Sequence, residues 1–306
     1  MTASLDSLIA GARKGHHRDI ARLISRVEDT DPALPRILAE LASSTGHAQV
    51  IGITGAPGVG KSTTTNALIK AMRERGQRVG VLAVDPSSPF SGGALLGDRV
   101  RMQEHANDDG VYIRSMASRG HLGGLARSTC QAIRVLDAAG FDVVLIETVG
   151  VGQSEVDIAR SADTTIVLVA PGMGDGIQAA KAGILEIGDI IVVNKADRDG
   201  ADATARELRA MIQLDHDATW IVPVVPIVAT TSVGIPELLE VIATHAAWLT
   251  ETGEGQRRRV NRAREEIEAI VVSRLRAAIN DAELTALAQA SLTGEIDPFT
   301  AADRLS

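Results

Sequence analysis

The sequence predicts an α/β fold with a mostly parallel sheet lying between helical layers. Three observations carry that prediction. Between Gln49 and about Leu249, short runs rich in Val and Ile alternate with stretches long enough for crossover helices. Several of those runs are apolar throughout, as strands covered on both faces must be. The first of them ends in a glycine-rich loop that leads into a helix-forming run.

Residues 1–48 read as a helical extension. Leu5, Leu8 and Ile9 form one apolar patch, and Ile20, Leu23, Ile24 and Val27 recur at helical spacing. Asp31-Pro32 stops that helix, and Ala33–Ser44 offers another before the linker 43–47. The nucleotide-binding domain is expected over 49–250. Its strands are Val50–Thr54, Arg78–Val84, Val111–Arg114, Val143–Glu147, Thr164–Ala170, Ile190–Asn194 and Ile221–Val228. Crossover helices are expected over Ser62–Arg75, Leu125–Ala139, Ile177–Ile187 and Ala201–Leu214. Ligands of such folds bind at the carboxyl ends of the strands. Glu251–Gln256 reads as a polar connector, and 251–306 as a C-terminal helical arm. Its long helix carries the stripe Val260, Ala263, Ile267, Ile270, Val271, Leu275, Ala278 and Ile279. That stripe needs a partner surface: dimerisation is expected, and folding back onto its own domain is the alternative.

Composition narrows the function classes. The 306 residues carry 31 Lys+Arg against 39 Asp+Glu, a net charge of −8, which argues against non-specific nucleic-acid binding. Aromatic residues make up only 2 %, so base reading by stacking on many rings is not expected. The single cysteine, Cys130, can form neither an intramolecular disulfide nor a cysteine metal cluster, which fits a reducing compartment. No apolar run approaches the ~18 residues that span a bilayer, and the first residues lack a secretory h-region. A cytoplasmic protein is expected.

The loop Gly55-Ala56-Pro57-Gly58-Val59-Gly60-Lys61-Ser62, followed by Thr63, matches the G-x-x-x-x-G-K-[ST] phosphate loop at every fixed position. Its glycines let consecutive backbone N–H groups converge on phosphate oxygens. Lys61 can reach the β- and γ-phosphates, and the Ser62 hydroxyl is placed to ligate Mg²⁺. The helix that starts there adds the positive end of its dipole. Downstream, Asn194-Lys195-Ala196-Asp197 follows an apolar strand. A carboxylate only accepts hydrogen bonds, so Asp197 can select guanine, which offers adjacent N1–H and N2–H₂ donors, over adenine by a bidentate contact. The Lys195 stem can lie over the base, and Asn194 can tie this loop to the phosphate loop. A third loop, Val228-Ala229-Thr230, stands where GTPases carry Ser-Ala, whose backbone N–H meets guanine O6; with Val228 at the Ser position only backbone readout remains.

Three acids are candidates for Mg²⁺ or for orienting the attacking water: Asp85 after the second strand, Glu147 at the end of the fourth, and Asp98 in Gly97-Asp98-Arg99. Gly150, in the loop that follows Glu147, could bond the γ-phosphate and sense hydrolysis.

With these residues in view, the chain resembles the MeaB/ArgK family of P-loop GTPases, which includes the human methylmalonic aciduria type A protein. The resemblance extends through Val84-Asp85-Pro86-Ser87-Ser88, 97–102, Arg119-Gly120-His121-Leu122-Gly123-Gly124, 147–155 and Lys181-Ala182-Gly183-Ile184-Leu185-Glu186. It implies a P-loop NTPase fold and a homodimeric, Mg²⁺-dependent GTPase that binds GTP and GDP. It also implies a chaperone role that gates cofactor loading and protection of adenosylcobalamin-dependent methylmalonyl-CoA mutase. It further implies that Asp85, Asp98 and Glu147 sit around Mg²⁺, and that Lys181 lies in a loop linking partner binding to hydrolysis. The alternatives are a metallochaperone-type GTPase, which would need Cys/His ligands at metal spacing, and an ArgK-type kinase or transport-associated ATPase, which would prefer ATP. Elsewhere the residues read as ordinary structure. His16-His17 are expected on an exposed helix face, Cys130 in the core, and the arginines of 257–264 on a solvated face.

Overall fold

The computed structural model describes residues 4–86, 105, 107–118, 124–148, 160–172, 187–213 and 219–305. These residues form two compact units, Met1–Arg259 and Val260–Ser306. In the first unit the chain runs through helices α1 (Leu5–Arg13), α2 (His17–Glu28) and α3 (Leu34–Leu41), then β1 (Gln49–Gly55), α4 (Lys61–Glu74), β2 (Val79–Pro86) and β3 (Val111–Ser118). It continues with α5 (Gly124–Ala138), β4 (Val143–Thr148), β5 (Thr164–Val169), β6 (Ile190–Val193), α6 (Ala201–Ile212), β7 (Val224–Pro226) and α7 (Ile235–Glu251). Helix α8 (Glu254–Ala278) carries the boundary between the units, and α9 (Asp281–Leu292) and α10 (Pro298–Asp303) follow it.

Seven strands form one sheet in the order β3-β2-β4-β1-β5-β6-β7, and every described pairing is parallel. The period of two along each strand sorts its side chains between two layers. Val50, Leu82, Val84, Val144 and Ile146 join α1–α3 and α5 in one apolar cluster, with Ile20, Leu23, Ile37 and Leu136. Ile51, Ile53, Val81 and Leu145 face the other way and pack with Leu68 and Ile69 of α4 and Leu238 and Ile242 of α7. The N-terminal helices therefore belong to the sheet's own covering layer. Their ends are set locally: the Ser4 hydroxyl accepts from Ser7 N at 3.3 Å, and Asp31 Oδ1 from Ala33 N at 2.7 Å.

Several expectations need correction. Strand β7 spans three residues instead of Ile221–Val228, because Pro223 and Pro226 remove ladder donors; Ile221 is exposed, and Val228 makes a lone bridge to Val233. The polar connector contracts to Thr252-Gly253, since α7 continues to Glu251 and α8 begins at Glu254. His16 is exposed, but His17 packs edge-on to Tyr112 with centroids 5.5 Å apart and lies 6.5 Å from Phe141. Cys130 is half-buried, with Sγ 3.9 Å from Ser161 Oγ. The expected helix Ile177–Ile187 lies outside the described residues apart from its last residue.

The arginines at the start of α8 depart furthest from a solvated face. Arg258 grips Asp189, at the amino end of β6, through Nη1 at 3.0 Å and Nη2 at 2.9 Å. The same carboxylate accepts Thr165 N at 2.8 Å and lies 3.4 Å from Nε2 of the fully buried His245. Trp220 donates to the Asp189 carbonyl at 2.8 Å, and its ring stands 4.7 Å from that of His245. Burial raises the Asp189 carboxyl, but the His245 ring and the Arg258 guanidinium outweigh it and hold the group below the ordinary carboxylate range. A carboxyl depressed on folding adds stability above its unfolded value, about pH 4, and that stability is lost as pH falls through the folded value. Asp189→Asn should therefore cost about 2–3 kcal/mol at neutral pH, the lower end for breaking a buried pair because Arg258 remains 30 % exposed. It should also flatten the fall of the thermal midpoint below about pH 4. Equal acid slopes for the two proteins would show that Asp189 is not the group responsible.

In the second unit no residue of α8 is buried. Val260, Ile267, Val271, Val272 and Leu275 are exposed, as are Leu284, Leu292 and Phe299. Asn280 and Asp297 cap α9 and α10 through their side chains.

Candidate nucleotide-binding site

The site forms where three strand ends meet. Strand β1 lies between β4 and β5, with chain crossovers leaving to either side, so its carboxyl end opens at a switch point of the sheet. The loop Gly55–Gly60 leaves that end and α4 starts at Lys61. Two glycines are required by space as well as by conformation. Gly55 has φ +141°, and a Cβ there would stand 2.3 Å from the Leu168 carbonyl oxygen. Gly60 has φ +96°, and a Cβ would stand 2.3 Å from Asn194 Nδ2. Lys61 is 8 % exposed, and its ammonium donates to Gly55 O at 2.7 Å and Ala56 O at 3.1 Å. The lysine charge is thus held against the loop whose amides would receive phosphate.

Ser62 Oγ donates to Glu147 Oε1 at 2.6 Å, and both residues are buried. Parallel pairing of β1 with β4 sets Ile53 opposite Glu147, which carries the acid beneath the loop. One residue further along each strand, Thr54 and Thr148 place their buried hydroxyls 3.3 Å apart. Sequence reasoning passed over this pair, which only the strand register brings together.

Asn194 is 3 % exposed and joins three loops. Its Nδ2 donates to Val59 O at 2.8 Å, and its Oδ1 accepts from Ala229 N at 3.1 Å. Lys195, in the left-handed region at φ +58°, reaches the phosphate loop as well, with Nζ 2.7 Å from Gly58 O. Asp197 is exposed beyond it. In the third loop, Val228 N donates to Val233 O at 2.9 Å. Together with the Ala229–Asn194 bond this commits two of the three amides, so among the described residues Thr230 N is the one of the three without a protein acceptor.

The structure thus joins the phosphate loop and Ser62 to Glu147, Asn194 and Lys195, and Asn194 to Ala229, with Asp197 and Thr230 close by in the chain within the same loops. Asp98 and Gly150 lie outside the described residues, as does Lys181, and of Asp85 only the backbone at the end of β2 is described.

The sequence matches the family model for the methylmalonyl-CoA mutase-associated GTPase MeaB over residues 20–283. The chain belongs to the MeaB family. Among relatives of this MeaB-family chain, a candidate GTPase of Pyrococcus abyssi is 48 % identical over 309 residues, covering 98 % of this chain and 95 % of that one. GTPase ArgK of Escherichia coli is 36 % identical, covering 83 % and 80 %. The mitochondrial methylmalonic aciduria type A homolog of mouse is 37 % identical, covering 82 % and 65 %. Among solved structures, a LAO/AO transport system kinase superposes with a TM-score of 0.72 at 26 % identity, covering 100 % of this chain and 98 % of that one. The fold is that of a P-loop NTPase, and no helix among the described residues is long and apolar enough to cross a membrane.

Proposed function

We propose that this MeaB-family protein binds GTP, hydrolyses it to GDP and phosphate with Mg²⁺, and uses that cycle as a cytoplasmic chaperone of adenosylcobalamin-dependent methylmalonyl-CoA mutase. The observation that carries the nucleotide reading is Asn194, whose side chain ties the Asn194–Asp197 loop to both the phosphate loop and the third loop. Holding these loops together supports a reading in which Asp197 and Thr230 N meet one base. A carboxylate and a backbone N–H read the guanine edge and leave adenine mismatched. The mutase reading rests on the family's name and on the mouse relative.

The donor set suits a hard divalent cation, because the Ser62 hydroxyl and the Glu147 carboxylate already converge as buried oxygens. Ser62 and Glu147 would hold Mg²⁺, with Asp85 and Asp98 as further candidate ligands. Bound there, the ion supplies neutralisation of phosphate charge. The protein's own part is positioning. Loop amides orient the phosphates, Lys61 balances charge that develops on the transferred group, Asp85 or Glu147 orients water, and the Gly150 N–H senses the γ-phosphate. The exposed apolar residues of α8 support a homodimer formed through the C-terminal unit.

Titration of methylmalonyl-CoA mutase with the full chain, by calorimetry, tests the reading as a whole. Affinity should differ by about tenfold or more between the GDP form and the form with a non-hydrolysable GTP analogue, a coupling of about 1.4 kcal/mol. Absence of binding in both forms would remove the mutase from the proposal. Preference for ATP over GTP would favour the kinase or ATPase reading instead.

A further inference from the structure

At the end of the sheet opposite the phosphate loop, a cleft of about 360 Å³ opens beside the amino ends of β1 and β5. Its lining includes His47, Gln49, Gln256 and Arg259, with Asp163 and an apolar side formed by Leu249. Gln49 begins β1 and Gly55 ends it, so about 20 Å of strand separates this cleft from the phosphate loop. Its volume is within the range of small-molecule sites.

Arg259 and the Gln49 amide bring donors to it. The Gln49 amide nitrogen is buried and finds no acceptor among the described residues. A buried donor left without a partner costs about 1–3 kcal/mol, so its position calls for an acceptor. Arg259 has donors to spare. It places Nε 3.4 Å and Nη2 3.3 Å from the Asp163 oxygens and donates Nη1 to Gly46 O at 2.9 Å. A guanidinium has five N–H groups, and these contacts use three. The Asp163 contacts are also long for a charge-assisted pair, which normally closes to about 2.7–2.9 Å. Arg258, one residue earlier, reaches Asp189 at 2.9 Å. Asp163 additionally accepts Val50 N at 3.1 Å, so its charge is already engaged. Glu254, at the start of the same helix, is paired with Arg257 and Arg258. His47 is exposed at the rim.

We propose that this cleft is a second ligand site, which takes a small molecule through an anionic oxygen group, a carboxylate or a phosphate, received by Arg259, Gln49 and His47 while the ligand's apolar part rests on Leu249. No residue of the guanine-nucleotide reading is used, so the two proposals stand or fall separately.

The test is calorimetric titration of the full chain with inorganic phosphate and, separately, with succinate, after the phosphate loop has been filled with a non-hydrolysable GTP analogue. Saturable binding of at least one probe is expected at millimolar concentration, and which probe binds assigns phosphate or carboxylate chemistry. Arg259→Ala should weaken that binding about tenfold or more, as expected for a charged hydrogen bond. His47→Ala, at an exposed side chain, should weaken it severalfold without affecting folding. Failure of both probes to bind would overturn the proposal. Binding equally strong in wild type, Arg259→Ala and His47→Ala would also overturn it, because the probe would then lie elsewhere.

Discussion

Lys61→Ala is expected to lower GTP turnover by about two to three orders of magnitude, the loss typical of removing one preorganised charge-stabilising donor. The lysine is nearly buried, and two loop carbonyls hold its ammonium at the mouth of α4. Lys195 also touches this loop, at Gly58 O, but Lys61 is the one lysine within Gly55–Ser62 itself. Folding should survive, because alanine is the best helix former and stands at the first residue of α4. Phosphate release under saturating GTP, with circular dichroism as the folding control, is the measurement. Turnover unchanged from wild type would show that hydrolysis occurs elsewhere.

The second large effect is expected at the base. Asp197→Asn should weaken GTP by about 3 kcal/mol or more, roughly a hundredfold, because two hydrogen bonds to an ionised group are lost together. The variant should gain affinity for xanthine nucleotides, whose O2 accepts from an amide where guanine's N2–H₂ requires a carboxylate. Competition of GTP and XTP against a fluorescent guanine nucleotide reads both changes. GTP selectivity that survives the substitution would transfer base readout to the third loop. Asp197 is exposed in a loop held by Asn194 and Lys195, so this substitution isolates recognition from stability.

Much of this architecture was legible because it rests on local pattern. All seven strands stand where Val/Ile runs are found, and β1, the phosphate loop and α4 follow one another as the glycine spacing requires. The tie from Asn194 to the phosphate loop was also anticipated from its place after a strand, and the structure shows it at 2.8 Å. The misreadings share a different cause. Arg258 and Arg259 look like part of an exposed basic run, yet their partners Asp189 and Asp163 lie 69 and 96 residues away in the chain. In the third loop, Val228 N and Ala229 N likewise find their acceptors, Val233 O and Asn194 Oδ1, through the fold and not from local spacing. For His17, nothing near it in the chain predicts Tyr112 or Phe141, which its ring meets in the fold.

The sequence by itself therefore determined the parallel α/β class, the phosphate loop and the Asn194–Asp197 element. Each depends on periodicity or on residues within a few positions of one another, where backbone geometry alone sets the chemistry. Only the tertiary structure decided which amides of the third loop have protein acceptors, and that Ser62 meets Glu147. It likewise decided how the root of α8 is fastened, and that a cleft holding Arg259 and Gln49 opens at the far end of β1. Those features arise from strand order and register, which join residues tens of positions apart. Their energetics belong to burial and to hydrogen bonds satisfied across the sheet, and neither is written in local spacing.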